Sequence, residues 1–392
     1  MFDDGEFTDA TGRRIAGQLV QQTRTSDAAP GRPSGRYPRA AAVRRRCEAN
    51  FLLLSWGPWF DDLNGAAKVS LSRRPSGPAI WGEHMRLLIT GGAGFIGSNL
   101  TKVALADGHS VTILDDLSTG YRENLDGMDV TFIEGTVLNV ETVRKSLVDV
   151  SVVIHLAALG SVPRSIIDPT STHAANATGT LTVLDEARRA GVSHFVVSSS
   201  SSVYGLNPEL PKGERDWVRP VSPYAVSKLA AEQYVLAYQQ SYGMNTLAFR
   251  FFNVYGPGQK AGHTYAAVIP VFLDALLHER PLPIHGDGNQ SRDFTYVGTV
   301  CDVLLDAINR GVTHPEPINL AFGTNTNLNQ LINTIGEVTG QTPEVSYGPS
   351  RPGDVKHSEA KYATLRSLFP DVHPVPLTQG VLETVAWFEA TR

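Results

Sequence analysis

The chain has 392 residues, 42% of them hydrophobic, and a formal net charge of −5, which allows a large core and gives no basic excess to suggest nucleic acid. No apolar run reaches about 18 residues, so the sequence predicts no membrane-spanning helix. Two cysteines, Cys47 and Cys301, are too few for a disulfide framework or a cysteine metal cluster, so no metal and a cytoplasmic, reducing setting are expected.

Residues 1–84 carry eleven arginines against one lysine and Pro/Gly/Ser clusters such as Ala29–Gly35, with little sustained periodicity. This composition predicts disorder. Because Met85 opens the first patterned segment, the simplest reading is a start placed ahead of the native one; a regulatory or targeting extension is the alternative.

From Met85 the pattern changes. Met85–Ile89 is an apolar run, Gly91, Gly94 and Gly97 mark a tight turn, and Phe95–Ala106 repeats apolar residues at helical spacing until Asp107-Gly108. Strand, glycine turn and helix in that order form a phosphate cradle. Glycine lets the backbone approach a pyrophosphate, and the unpaired N–H groups of the new helix supply donors. A second strand from His109 ends in Asp115-Asp116, where a carboxylate can accept from a ribose hydroxyl and repel a 2′-phosphate, favouring NAD over NADP.

Further strands are predicted at about 130–134, 152–157, 194–199 and 245–250, alternating with helices as in a doubly wound parallel α/β sheet. After Val196-Val197, the five serines Ser198–Ser202 offer a hydroxyl donor, although some of them need only form a polar loop. Ser222-Pro223 has the form of an N-cap and first-turn proline, placing Tyr224 and Lys228 one turn apart on a helix face. A nearby ammonium lowers a phenol's pKa, so Lys228 is expected to make Tyr224 a usable base. The same spacing also describes an ordinary amphipathic helix; its position downstream of a nucleotide cradle favours chemistry. Beyond about Tyr255 the alternation breaks into Pro/Gly-punctuated segments. The expected organisation is therefore 85–254 as a Rossmann domain and 255–392 as a smaller α/β substrate lobe, with elements interleaved.

The Gly-rich turn, Ser201–Gly205 (SSVYG), Tyr224–Lys228 (YAVSK) and Arg250–Gly256 (RFFNVYG) together resemble the extended short-chain dehydrogenase/reductases, specifically nucleotide-sugar epimerases, from Met85 to the C-terminus. The resemblance implies Ser200, Tyr224 and Lys228 as the catalytic group, with Lys228 also holding the nicotinamide ribose. It implies NAD contacts at Gly91, Gly94, Phe95, Ile96, Gly97, Asp115, Asp116 and Ala157 as well as at Tyr224 and Lys228. For a UDP-sugar substrate it implies Gly160, Ser161, Ser200, Ser201, Asn253, Ala267, Val268, Arg292, Arg351, Asp354 and Ser358, the arginines offering forked donors to phosphate. Ala157–Ser165, Tyr265–Pro270 and Gly353–Ser358 are most similar to bacterial UDP-N-acetylglucosamine 4-epimerases. Ser358 falls where glucose-restricted relatives carry tyrosine, leaving room for an N-acetyl group. A homodimer paired through the helices within Thr170–Arg189 and Ser222–Tyr242 is also implied.

Three departures from the family pattern stand out: Thr136 in place of an aspartate expected near the adenine, Lys361 in place of aspartate after Ala360, and no acidic pair in Val297-Gly298-Thr299. The first predicts weaker cofactor binding; the other two predict lost helix caps or surface pairs. Rival readings are a 4,6-dehydratase or decarboxylase, which needs an acid beside the catalytic hydroxyl where this chain has Ser201 and Ser202, a UDP-glucuronate or UDP-glucose 4-epimerase, and a non-enzymatic NAD-binding regulator.

Overall fold

A computed structural model describes residues 84–261, 267–349 and 356–391, all within Leu71–Arg392, the second of two compact units. The expectations for residues 1–83, and for Arg351 and Asp354, lie outside these residues.

Six strands fall where the apolar runs predict them: β1 (Arg86–Thr90), β2 (Ser110–Asp115), β3 (Thr131–Glu134), β4 (Val152–His155), β5 (His194–Ser200) and β6 (Thr246–Phe251). A seventh, β7 (Ile318–Leu320), comes from the second half of the chain and pairs in parallel with β6. It is only three residues long, too short for alternation to announce it. The order is β7-β6-β5-β4-β1-β2-β3, every pair parallel. The order in which strands are added therefore reverses between β1 and β4, and a crevice opens there at the carboxyl ends of the strands.

Both faces of the central strands are covered, which is why β1 and β4 are buried along nearly their whole length, whereas the edge strand β3 is only partly buried. Leu87 and Ile89 of β1, Val152 and Ile154 of β4, and Leu247 and Phe249 of β6 enter one core, shared with α1 (Phe95–Ala106) and a group of helices from the second half of the chain. Leu88, Val153, Phe195, Val197 and Ala248 alternate onto the other face, against α2 (Val140–Ser146), α3 (Gly179–Ala190) and α4 (Pro223–Tyr242). Each such fully buried aliphatic or aromatic side chain stabilises the fold by roughly 1.5–3 kcal/mol. The second half adds α5 (Val268–Leu277), α6 (Val297–Asn309), α7 (Leu328–Thr339) and α8 (Leu377–Ala390), with short strand pairs such as Leu282–His285 with Val345–Gly348. Among the described residues no helix is long and apolar enough to cross a membrane, and no cluster of acidic, His or Cys side chains is arranged to hold a metal.

Helix α1 starts and stops at the predicted residues, with Gly94 as N-cap and Asp107 as C-cap. Tyr296 before α6 and Tyr362 before the helix Ala363–Leu368 provide no side-chain cap, while the Thr299 hydroxyl instead accepts the Val375 N–H at 3.1 Å. Two glycines of the turn are sterically required. Gly91 lies at φ +72° with Ala157 N 2.7 Å from where a Cβ would sit, and a Cβ on Gly97 would overlap the Gly91 carbonyl oxygen. We therefore expect Gly97→Ala to destabilise the protein by about 1–3 kcal/mol and to release its dinucleotide. Unchanged melting temperature and unchanged NAD content in the purified variant would contradict this packing.

Candidate active site

The carboxyl ends of β1, β4 and β5 and the first turn of α4 converge on one crevice. Ser222 caps α4 by accepting the Ala225 N–H at 3.2 Å, and Pro223 takes the first helical position, as the sequence predicts. This sets Tyr224 and Lys228 on one face beside the end of β5. Lys228 is buried, and its Nζ donates to the Ser198 carbonyl at 2.6 Å and to Ser198 Oγ at 3.2 Å. Burial lowers its pKa to about 8. Ser200 ends β5 and faces Tyr224, whose phenol pKa is raised by burial and drawn down by a hydrogen bond from Ser200. The expectation that Lys228 lowers the Tyr224 pKa is corrected here. The ammonium is turned onto Ser198, Ser200 takes over that influence, and the net shift is upward.

A buried polar chain ties these pieces together. The Ala157 N–H donates to Thr90 Oγ1 at 3.3 Å, Thr90 Oγ1 lies 2.7 Å from His155 Nδ1, and His155 Nε2 lies 2.9 Å from Thr180 Oγ1. Thr180 donates to the Asn176 carbonyl at 2.6 Å. The Thr180 proton is thereby used, so His155 carries its hydrogen on Nε2 and accepts from Thr90 on Nδ1. Burial, reinforced by the Lys228 charge, pushes the His155 pKa down to about 3, keeping the ring neutral. Asn176 sits in a π-helical turn, Ala174–Thr178. Its Oδ1 accepts the Leu159 N–H at 2.7 Å, and its Nδ2 donates to Leu159 O at 3.2 Å and to Ser227 Oγ at 3.0 Å. Ser227 in turn donates to the Tyr224 carbonyl at 2.7 Å. Sequence reading missed Asn176 and His155; the available signal was a polar residue at the end of an apolar strand and another before α3.

Beneath the serines lies a second missed pair. Glu232 accepts from Ser199 Oγ at 2.7 Å and from Arg250 Nε and Nη2 at 2.9 and 2.7 Å, with side-chain exposures of 4% for Arg250 and 0% for Glu232. Burial works against the Arg250 charge, but Glu232 overrides it and the guanidinium pKa lies above its ordinary value.

The cradle residues lie across the crevice. Gly94 caps α1 with no side chain, so the first N–H groups of the helix, at Phe95, Ile96 and Gly97, point at the turn without a side-chain partner. Asp115 is buried at the end of β2, accepting Ala93 N–H at 2.9 Å and Leu117 N–H at 2.8 Å; Asp116 accepts Ser118 N–H at 3.0 Å. Burial raises the Asp115 pKa. Ala157 follows β4 at the crevice wall, where Gly91 nearly touches it. Thr136, in the place of the expected aspartate, accepts Leu138 N–H at 3.3 Å within its own turn.

On the other side, Gly160 has open space where a side chain would project, and Ser161 caps the helix Val162–Ile167 by accepting Arg164 N–H at 3.1 Å. Ser201 begins the 3₁₀ turn Ser201–Tyr204. Asn253, at φ +29°, donates to the Asp293 carbonyl at 3.3 Å, while Arg292 donates to the carbonyls of Ser291 and Lys356 at 2.9 and 3.2 Å. The Ser358 N–H donates to Ser291 O at 3.1 Å, so Ser358 lies in the strand-like segment beside Arg292. Asp293 is fully buried and accepts from the N–H groups of Gly323, Thr324 and Ala360, pinning these loops together. Ala267 caps α5 and is exposed; Val268 opens the helix and packs against the core.

The crevice between a glycine cradle and an apposed Ser–Tyr pair defines a dinucleotide-binding protein of the doubly wound α/β class. Residues 87–321 match the NAD dependent epimerase/dehydratase family, and the chain belongs to it. The UDP-glucose 4-epimerase of Mycolicibacterium smegmatis is 36% identical over 310 residues, 78% of this chain and 98% of that protein. The UDP-N-acetylglucosamine 4-epimerase of Methanobrevibacter ruminantium M1, solved in complex with UDP-N-acetylmuramic acid, superposes with a TM-score of 0.75 at 36% identity, over 79% of this chain and all of that one. The Thermus thermophilus UDP-glucose 4-epimerase in complex with NAD has a TM-score of 0.72 at 34% identity, over 79% of this chain and all of that one. The protein is thus an NAD-dependent enzyme of a family acting on nucleotide sugars.

Removing the charge beneath the serines should leave Arg250 uncompensated in the core, at a cost of about 3–5 kcal/mol. Glu232→Gln is expected to lower the melting temperature by roughly 5 °C or more; an unchanged thermal midpoint would show that the pair carries little of the fold.

Proposed function

We propose that this enzyme inverts C4 of a UDP-hexosamine, interconverting UDP-N-acetylglucosamine and UDP-N-acetylgalactosamine through a 4-keto sugar. The observation that carries the reading is the Ser200 hydroxyl set against the Tyr224 phenol, with Lys228 anchored one turn away. The cradle fits NAD, since Gly94 caps α1 without a side-chain hydrogen bond and leaves the first N–H groups of the helix for a pyrophosphate. Gly91, Gly94, Phe95, Ile96, Gly97, Asp115, Asp116 and Ala157 are the residues to hold NAD, which when bound supplies a reversible acceptor for the C4 hydrogen.

The protein's own part is proton handling and orientation. Tyr224, once ionised, takes the proton of the sugar 4-hydroxyl and later returns it, and Ser200 donates to the oxygen on which charge develops. Lys228, with a pKa of about 8, remains largely charged at neutral pH and is assigned to hold the nicotinamide ribose. Inversion requires the keto sugar to present its other face, and the open space at Gly160 and the short side chains of Ser161 and Ser358 favour that movement. Asn253, Arg292, Arg351, Asp354 and the backbone at Ala267 and Val268 are assigned to the nucleotide, with Ser201 at the sugar. The N-acetyl preference rests on Ser358 and on the likeness to the Methanobrevibacter enzyme.

The test is incubation of the purified protein with a panel of UDP-sugars, reading C4 configuration by NMR. Conversion of the UDP-N-acetylhexosamines without added reductant is expected, falling ~10²-fold or more in Tyr224→Phe. Activity confined to UDP-glucuronate or UDP-glucose would reassign the substrate. No activity together with no retained NAD would refute the enzyme reading.

Specificity has its own test. Ser358→Tyr should fill the space beside the sugar and exclude an N-acetyl group while sparing a 2-hydroxyl. The kcat/KM ratio of UDP-N-acetylglucosamine to UDP-glucose should then drop about tenfold or more. An equal fall for both substrates, or no change, would remove Ser358 as the determinant.

A further inference from the structure

Ser202 is absent from every role assigned so far, yet it makes two contacts to the catalytic hydroxyl. Its backbone N–H donates to Ser200 Oγ at 3.2 Å and its own hydroxyl donates to the same atom at 2.9 Å. A serine oxygen has two acceptor positions and one hydrogen. Ser202 fills both acceptor positions, so the Ser200 hydrogen is left to point outward, toward the Tyr224 phenol and the oxygen of a bound sugar. Were one acceptor position open, the phenol could donate into it instead, an arrangement that favours the neutral phenol and leaves Ser200 with nothing to offer a developing oxyanion.

We propose that Ser202 is a positioning residue that fixes Ser200 as an obligate hydrogen-bond donor within the Ser200–Tyr224 pair. This rests on the assignment of Ser200 and Tyr224 given above. The turn that makes it possible is local. Ser200 is the N-cap of the 3₁₀ turn Ser201–Tyr204, and the strand conformation of Ser200 brings its side chain over the N–H two residues on. Val203 and Tyr204 anchor the turn in a small core, the Tyr204 hydroxyl bonding Asn319 Oδ1 at 2.7 Å. The geometry of Ser202 is therefore held independently of substrate.

The ionisable groups on the elements packed against α4 leave this local pair in control. Lys228 is engaged with Ser198, Arg250 with Glu232, and His155 is neutral; Arg164 and His173 lie on the short helices beside α4. What acts on the Tyr224 phenol is burial and Ser200. Removing the Ser202 hydroxyl should consequently let Tyr224 donate to Ser200 and make the phenol harder to ionise.

The experiment compares the NAD-containing protein with Ser202→Ala and Ser202→Thr. The Tyr224 phenolate is titrated by ultraviolet difference absorbance, each protein measured against its own Tyr224→Phe counterpart. In Ser202→Ala the midpoint should rise by roughly half to one pH unit, the size of one hydrogen bond, and it should return in Ser202→Thr, which restores the hydroxyl. The acid limb of kcat/KM on the UDP-sugar should move the same way, with turnover at neutral pH about 3- to 10-fold lower and KM little changed. A midpoint unmoved in Ser202→Ala would overturn the proposal, as would a shift that Ser202→Thr fails to reverse. The titration needs no substrate, so it decides the matter even if the UDP-sugar assignment fails. Should Ser202→Ala lose NAD or fold, Ser202→Cys, similar in size and a weak donor, takes its place with the same expected shift.

Discussion

The arrangement depends on one buried chain of hydrogen bonds, running from Thr90 through His155 and Thr180 to the π-turn at Asn176, and from Asn176 to Ser227 on the catalytic helix. A parallel sheet delivers strand ends to one edge but does not fix the loops that follow them. This chain does so. It fastens the end of β1, where the glycine cradle starts, to the end of β4, to the loop at Ala157–Leu159, and to the helix that carries Tyr224 and Lys228. Its polarity is determined throughout, because every donor meets an acceptor only if His155 is neutral with its hydrogen on Nε2. In a buried setting an unsatisfied member would cost more than the chain gains from any one bond, so the pieces are held jointly or not at all.

The same logic governs the other side of the site. The Arg250–Glu232 pair is bonded to Ser199, Lys228 to Ser198, and Ser202 to Ser200, so three successive serines at the end of β5 each have a separate duty. A run that reads as one polar patch in the sequence is three different contacts in space. Ser200 alone is left facing the crevice. Tyr224 is correspondingly poised by a hydroxyl and not by a charge; its phenol lies above the ordinary value, and the hydrogen bond from Ser200 limits that rise.

Much of this was legible in the sequence. The apolar runs gave six of the seven central strands to within about two residues, because most of them are buried along nearly their whole length and several are bounded by Gly, Asp or Asn. Helix α1 ends at Asp107 and α4 begins at Ser222-Pro223, since capping and proline chemistry act over a few residues and need no tertiary partner. What stayed hidden is non-local. β7 is three residues whose strand character comes only from pairing with β6, and Asn176, His155 and Glu232 acquire their meaning from Ser227, Thr90 and Arg250, which lie 51, 65 and 18 positions away. The expected lowering of the Tyr224 pKa by Lys228 fails for the same reason: spacing puts Lys228 on the face of Tyr224, but the Ser198 carbonyl decides where its charge rests.

The central claim is that this crevice handles C4 of a nucleotide sugar by removing and restoring one hydrogen without exchanging it with water. The most direct measurement uses UDP-N-acetylglucosamine carrying deuterium at C4, incubated with the protein in ordinary water, with the product examined by NMR. The account predicts the C4 epimer with deuterium still at C4. Loss of the label to solvent, or inversion at any other carbon, would contradict it.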